Sequence, residues 1–245
     1  MHRFFIAADS LHGEYVILTG SQVHQICDVL RMKSGDEIIV LDNTGCEYVV
    51  MLSKVVRQEV VGRVINKQKT QAEPKTRITF FQSLLSREKF ELVLQKCTEI
   101  GVAGFVPVVT QRSIIRRADV VKPRKLSRWR SIITEAAEQS CRGRIPGLEN
   151  PVYFSDAISG LDNFDLRLIG TIGTKESGLR EILQAGDNKP TKVAVFIGPE
   201  GGFSESEIAL ACENGAKSFS LGKRILRTET AAVVASALIL YELEG

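Results

Sequence analysis

The sequence predicts an α/β protein in which a mostly parallel sheet flanked by helices is preceded by a small β-rich domain. Three observations predict it. Short Val- and Ile-rich runs separated by turn formers fill residues 1–72. Beyond a polar segment, residues 73–245 alternate strand-like runs with stretches of helical periodicity, the pattern of a parallel sheet covered on both faces. Three of the later strand-like runs pass into glycine-rich or polar loops.

In the first domain the strand-like runs are Tyr15–Leu18, Glu37–Leu41, Glu47–Val56 and Glu59–Ile65. Asp42-Asn43-Thr44-Gly45 suits a hairpin connection, and Gln58-Glu59 separates the last two runs. Val23, Ile26, Cys27 and Leu30 recur at helical spacing, which predicts a short helix over Ser21–Arg31. The polar segment Asn66–Lys75 reads as a linker and sets the domain boundary. In the second domain Arg77–Leu84 reads as a strand. Ser86 opens a helix with Phe90, Val93, Leu94, Cys97 and Ile100 on one stripe, and Gly101 closes it. Phe105–Val109, Leu166–Ile172, Lys192–Ile197 and Ser218–Leu221 read as further strands, with helices over 125–140 and Thr228–Leu243. Ser204 and Glu207 form a capping box for a helix that Gly215 stops.

Composition narrows the function. Apolar residues are 44% and charged residues 25% of the chain, ordinary for a globular protein. The apolar run Ala231–Tyr241 falls short of the roughly 18–20 residues of a membrane span, so a buried helix is expected and no membrane partner. The N-terminal residues show no signal-peptide pattern, and a cytosolic location is expected. Five widely spaced cysteines, with no C-x-x-C pair, argue against a disulfide framework or a zinc site, and no metal is expected. All three histidines lie within the first 24 residues, which disfavours a His-centred triad. The net charge of +3 is small, but Arg112, Arg116, Arg117, Lys122, Arg124, Lys125, Arg128 and Arg130 crowd one segment against Asp119 alone. That segment is either a phosphate-facing surface or a solvated helix face with its loop.

Ligands of open α/β sheets sit beyond the carboxyl ends of the strands. There the sequence places Ile169-Gly170-Thr171-Ile172-Gly173-Thr174, then Ile197-Gly198-Pro199-Glu200-Gly201-Gly202-Phe203-Ser204, then Leu221-Gly222-Lys223-Arg224-Ile225-Leu226-Arg227-Thr228-Glu229-Thr230-Ala231. One such loop is more often a plain strand-to-helix turn; three on one sheet point to a shared cleft built from main-chain groups. Gly215…Gly222-Lys223-Arg224 lacks Walker A spacing, and neither Gly170-x-x-Gly173 nor Gly198-x-x-Gly201-Gly202 is a dinucleotide fingerprint. From the residues alone the reading ends at an α/β enzyme with a small-molecule cleft and a basic flank.

The second and third loops resemble the ribosomal RNA small subunit methyltransferase E family, 16S rRNA uridine-N3 methyltransferases of the SPOUT superfamily. The resemblance extends in order along the chain through Arg3-Phe4-Phe5, His24…Val29-Leu30-Arg31-x-Lys33-x-Gly35-Asp36, Lys96-x-x-Glu99-Ile100-Gly101-Val102 and Glu138-Gln139-Ser140-x-Arg142. Cys97 and Ile100 stand where the family often has Ala and Leu, and Lys223 occupies a variable position. The resemblance implies a PUA-like β-barrel followed by a trefoil-knotted α/β domain, S-adenosyl-L-methionine as cofactor, and a homodimer acting on 16S ribosomal RNA in the small subunit.

With the resemblance in hand, the expected cofactor contacts are Gly198, Gly202, Leu221, Ile225 and Leu226, joined by Thr171, Gly173, Ile197, Glu200, Gly201, Gly222 and Thr230. Glu200 either touches the ligand or caps amides of its own loop. Arg227 is the expected stabiliser of negative charge on the uracil carbonyls, and Glu229 the expected proton acceptor. The alternative is that Glu229 only favours the first turn of the last helix and pairs with Arg227. Arg3, Arg31, Arg112, Arg116 and Arg117 are the expected RNA contacts. A related reaction at a ribose 2′-hydroxyl and a non-catalytic RNA-binding role are the competing readings.

Overall fold

Strands β1 (Arg3–Phe5), β2 (Leu11–His12), β3 (Tyr15–Leu18), β4 (Glu37–Leu41), β5 (Cys46–Val55) and β6 (Val60–Lys69) form a sheet in the order β1-β4-β5-β6-β3-β2. The structure is a computed structural model, and it describes residues 1–172, 178–185 and 188–244. These strands belong to a unit made of Met1–Glu73 and Ala137–Ile145. β1 runs parallel to β4, and the other pairs are antiparallel. Phe4, Val16, Leu18, Ile38, Val40, Val50, Leu52 and Val60 bury their side chains in one core, which Val23 and Ile26 complete. Those last two come from the predicted helix: α1 (Ser21–His24) widens into a π-type turn over Gln25–Val29.

The predicted hairpin between β4 and β5 is present, with the Asp42 carboxylate accepting from the N–H and hydroxyl of Thr44 at 2.9 and 2.7 Å. The segment expected to be a linker from Asn66 differs: β6 continues through Lys69, paired with Cys46–Val49 of β5. Its polar side chains lie on an exposed, hydrogen-bonded strand, where polarity reflects solvent rather than lack of structure. The return of Ala137–Ile145 to this unit carries no signal in periodicity. Glu138 accepts the Phe5 N–H at 2.9 Å, and Ala137 and Ile145 pack with Phe5, Ile39 and Leu41. Arg142, 2% exposed, pairs with Glu73 at 2.9 Å.

The second unit comprises Pro74–Ala136 and Pro146–Gly245. Its strands are β7 (Arg77–Ser83), β8 (Gly104–Val109), β9 (Gly147–Leu148), β10 (Val152–Tyr153), β11 (Leu166–Gly170), β12 (Lys192–Ile197) and β13 (Lys217–Phe219). They form a sheet in the order β10-β8-β7-β12-β11-β13, with β9 beside β8, and every pairing is parallel. Central strands β8 and β12 are buried almost throughout, which is why they read as continuous apolar runs.

The helices are α2 (Arg87–Ile100), α3 (Pro123–Gln139), α4 (Phe154–Ser159), α5 (Leu179–Gln184), α6 (Glu205–Glu213) and α7 (Thr228–Glu244). The stripe predicted on α2 is its buried face, and Gly101 ends the helix at φ 122°. Phe90 of α2 lies 4.3 Å from the Trp129 ring of α3, centroid to centroid. At α6 the capping box forms as predicted: Ser204 Oγ accepts from Glu207 N at 3.2 Å, and Glu207 Oε2 accepts from Ser204 N at 2.8 Å. Such a cap contributes about 1 kcal/mol and fixes where the loop ends. After edge strand β13 the chain returns to the middle of the sheet, where α7 packs on α2, α5 and β12. Among the described residues no helix is long and apolar enough to cross a membrane.

Candidate cofactor cleft

Strands β11, β12 and β13 are adjacent and parallel, so their carboxyl ends place the three expected loops side by side. Thr171 donates its N–H and hydroxyl to the Phe219 carbonyl at 2.9 and 3.2 Å, tying the ends of β11 and β13 together. A bridge between Gly178 and Ser220 continues that link. Gly173 lies outside the described residues.

The loop after β12 folds back on itself. Gly202 N–H donates to the Pro199 carbonyl at 2.9 Å, and Gly202 adopts φ +67°, a conformation that side chains disfavour. At Gly198 a Cβ would lie 3.2 Å from both the Phe203 amide nitrogen and its ring, so a side chain here would press on the closed turn and force it to give. Ile197, the last residue of β12, is buried, and Glu200 projects to the first turn of α2. There Lys89 Nζ donates to Glu200 Oε1 at 2.9 Å. This bond holds the Glu200 carboxyl below, and the Lys89 ammonium above, their ordinary ranges. Glu229 adds to the effect on Lys89 and Arg227 opposes it, so all four charges share one neighbourhood.

The third loop joins the second through Thr228, the first residue of α7. Its hydroxyl donates to the Gly198 carbonyl at 2.5 Å, and it accepts from Gln82 Nε2 at 3.4 Å. Gln82, wholly buried near the end of β7, also points Nε2 at the carbonyls of Ser83 and Ile197, at 3.2 and 3.4 Å. Three acceptors around one nitrogen fix the amide's orientation and leave Oε1 buried without a partner. Leu221 and Leu226 are half-buried, Gly222 has φ +102° with open space about it, and Ile225 is 77% exposed. Thr230 is exposed on the first turn of α7. The apolar Ile225 side chain left bare on this loop is a surface for an apolar part of a ligand.

Arg227 is exposed, and Glu229 is half-buried with Oε2 shielded from solvent and without a hydrogen-bond partner. No Arg227–Glu229 ion pair occurs among the described residues, while Glu229 does sit in the first turn of α7, where its charge favours the helix dipole. Among the basic candidates, Arg31 and Arg116 are exposed and unpaired in the described structure. Arg117 pairs with Asp119 at 2.6 Å, and Arg3 with the buried Glu47 at 2.6 Å. Arg112 turns its guanidinium to the second loop, donating from Nη1 to the carbonyls of Gly201 and Phe203 at 2.9 and 3.2 Å.

Sequence reading missed Gln82, Lys89 and Thr228. Gln82 leaves a usable signal: a lone amide within the buried stretch Ile78–Leu85, near the carboxyl end of a central strand. Lys89 and Thr228 left none, being ordinary residues at helix starts.

Comparison with known proteins agrees with this geometry. Residues 72–240 match the model of the RNA methyltransferase domain, and residues 18–65 that of the RNA methyltransferase PUA domain. The ribosomal RNA small subunit methyltransferase E of Bacillus subtilis is 31% identical, aligned over 100% of this chain and 98% of its own length. That of Mesomycoplasma hyopneumoniae is 33% identical over 95% of this chain and 96% of its own. A crystal structure of the Neisseria gonorrhoeae enzyme of that name, bound to S-adenosyl methionine, superposes with a TM-score of 0.88 at 29% identity, covering 98% of this chain and 97% of that one. The fold class is the one the sequence predicts, a PUA-like domain followed by a parallel α/β domain of the SPOUT type. The chain belongs to the ribosomal RNA small subunit methyltransferase E family.

Proposed function

We propose that this protein transfers a methyl group from S-adenosyl-L-methionine to N3 of a uridine in 16S ribosomal RNA, acting on the small subunit in the cytosol. The observation that carries the reading is the joining of the second and third loops through Thr228 and Gly198, which makes one cradle of main-chain groups beside Arg227 and Glu229. The residues suit the cofactor. Gly198 and Gly202 keep the loop backbone bare, and Leu221 and Leu226 offer apolar walls. Thr171, Ile197, Glu200, Gly201, Gly222, Ile225 and Thr230 complete the proposed contacts, with Gly173 beyond the described residues.

When bound, S-adenosylmethionine supplies a methyl group already activated by its sulfonium, so the protein's task is chiefly alignment. Uridine N3 carries a weakly acidic proton. Glu229 takes it, directly or through water, while Arg227 donates to the uracil carbonyl on which negative charge collects. N3 also lies on the Watson–Crick edge, so the base enters unpaired and unstacked. Arg3, Arg31, Arg116 and Arg117 contact phosphates and set the register of the RNA. On α7 the exposed Leu238 and Tyr241 support a homodimer with this helix at its interface.

The test is to incubate the protein with methyl-labelled cofactor and assembled small subunits, digest the RNA and identify the labelled nucleoside. N3-methyluridine is expected. A labelled ribose 2′-O-methyl nucleoside would move the reaction to the sugar, and no incorporation into subunits or free 16S RNA would refute a methyltransferase.

A further inference from the structure

We propose that Arg112 is a positioning residue of the cofactor cradle and not one of the RNA-facing cations; this rests on the proposed role of the 198–203 loop. Its segment, the turn after β8, is fastened to that loop at several points. Thr110 and Ser113 are buried and share a 2.7 Å hydroxyl–hydroxyl bond, and the Thr110 N–H also donates to Ser113 Oγ. This closes the turn so that its tip faces the start of α6. There Gln111 donates its N–H to Glu207 Oε1 at 2.9 Å and its side-chain amide to Ser206 Oγ at 3.2 Å. Glu207 is the carboxylate that caps Ser204, so one side chain receives the amides of both segments.

Arg112 completes the attachment. One guanidinium nitrogen donates to the carbonyls of Gly201 and Phe203, on either side of Gly202 with its positive φ. The aliphatic stem lies over Gly201, with Cβ and Cδ each 3.5 Å from where a side chain would begin. Two carbonyls turned to the same cation cannot rotate independently, so Arg112 fixes the Gly201–Gly202 and Phe203–Ser204 peptide planes, one on each side of the Gly202–Phe203 peptide. Those planes set where the neighbouring main-chain groups face the cofactor. Arg116 and Arg117 make no such bonds, and proximity in sequence to Arg112 gives them no shared task.

Arg112 is exposed, so its replacement leaves the fold intact and isolates the loop. In the full-length protein, Arg112→Met keeps the stem and removes the donors, and Arg112→Lys keeps one charged donor. Titration calorimetry with S-adenosylmethionine is expected to show about five- to tenfold weaker binding for Arg112→Met, with part of the loss restored in Arg112→Lys. The KM for the cofactor should rise with kcat kept at saturation. Binding of a 16S RNA transcript, and its salt slope, should match wild type. An RNA-contact role predicts the converse: unchanged cofactor binding, with RNA affinity lowered and the salt slope reduced by about one. That result, or cofactor binding within twofold of wild type, overturns the inference. Wild-type protein that fails to bind the cofactor overturns the underlying reading instead.

Discussion

The Thr228 hydroxyl donates to the Gly198 carbonyl at 2.5 Å, bridging the start of the last helix and the loop after β12 across thirty positions of sequence. The same hydroxyl accepts from the buried Gln82, so the strand β7, the second loop and the third loop meet at one atom. Replacing Thr228 by Val keeps the shape and removes the donor. The expected result is cofactor affinity about tenfold weaker and stability lower by about 1–2 kcal/mol, because Gly198 and Gln82 lose a buried partner. Calorimetry and urea unfolding measure the two effects separately.

Arg227 and Glu229 are expected to act on the reacting base and not on the cofactor. Arg227→Ala and Glu229→Gln should each lower the single-turnover methyl-transfer rate by about 100-fold or more, with cofactor affinity within threefold of wild type. A rate within about threefold of wild type would remove the residue from the mechanism.

Much of this arrangement was legible in the sequence. The alternation of strands and helices and the Ser204–Glu207 capping box rest on local rules and form as the sequence predicts. The short elements β1, β2, β9, β10, α4 and α5 are not predicted, because their few residues carry too little periodicity. The polar end of β6 reads as a linker in sequence, since an exposed strand and an unstructured segment have the same composition. The charge run 112–130 concealed three situations. Arg112 bonds to the loop after β12, Arg117 to Asp119 and Arg128 to Glu91, and sequence proximity cannot separate these partners.

The family-resembling pair Glu138 and Arg142 has a structural explanation. Arg142 is buried against Glu73, which also accepts the N–H groups of Gly143 and Arg144, each at 3.1 Å. Glu73→Ala removes this carboxylate from the buried guanidinium and from two N–H groups and should destabilise the protein by about 3 kcal/mol, because buried donors lose a charged acceptor. Chemical unfolding measures it; a loss below about 1 kcal/mol would show the pair to be dispensable.

Burial pushes the Cys97 thiol up to about 12, with the hydrogen bond from Ser236 working against the shift. The folded state therefore holds the proton that an unfolded chain releases from about pH 8.5–9. This stabilising contribution is whole below that pH and is lost as pH rises toward 12, at about 1.4 kcal/mol per unit. The difference in unfolding free energy between wild type and Cys97→Ala should shrink between pH 8 and pH 10.5. A difference independent of pH would contradict the buried, protonated thiol. Iodoacetamide should modify the exposed Cys141 and Cys212 in the native protein and reach Cys97 only after unfolding.

The most direct test of the account is calorimetric titration of the wild-type protein and Gly198→Val with S-adenosylmethionine. Wild type should bind one equivalent per chain, and the variant should lose binding while keeping its unfolding transition, because the added side chain opens the turn against Phe203. Equal binding by both proteins would place the cofactor elsewhere and contradict the cradle described above.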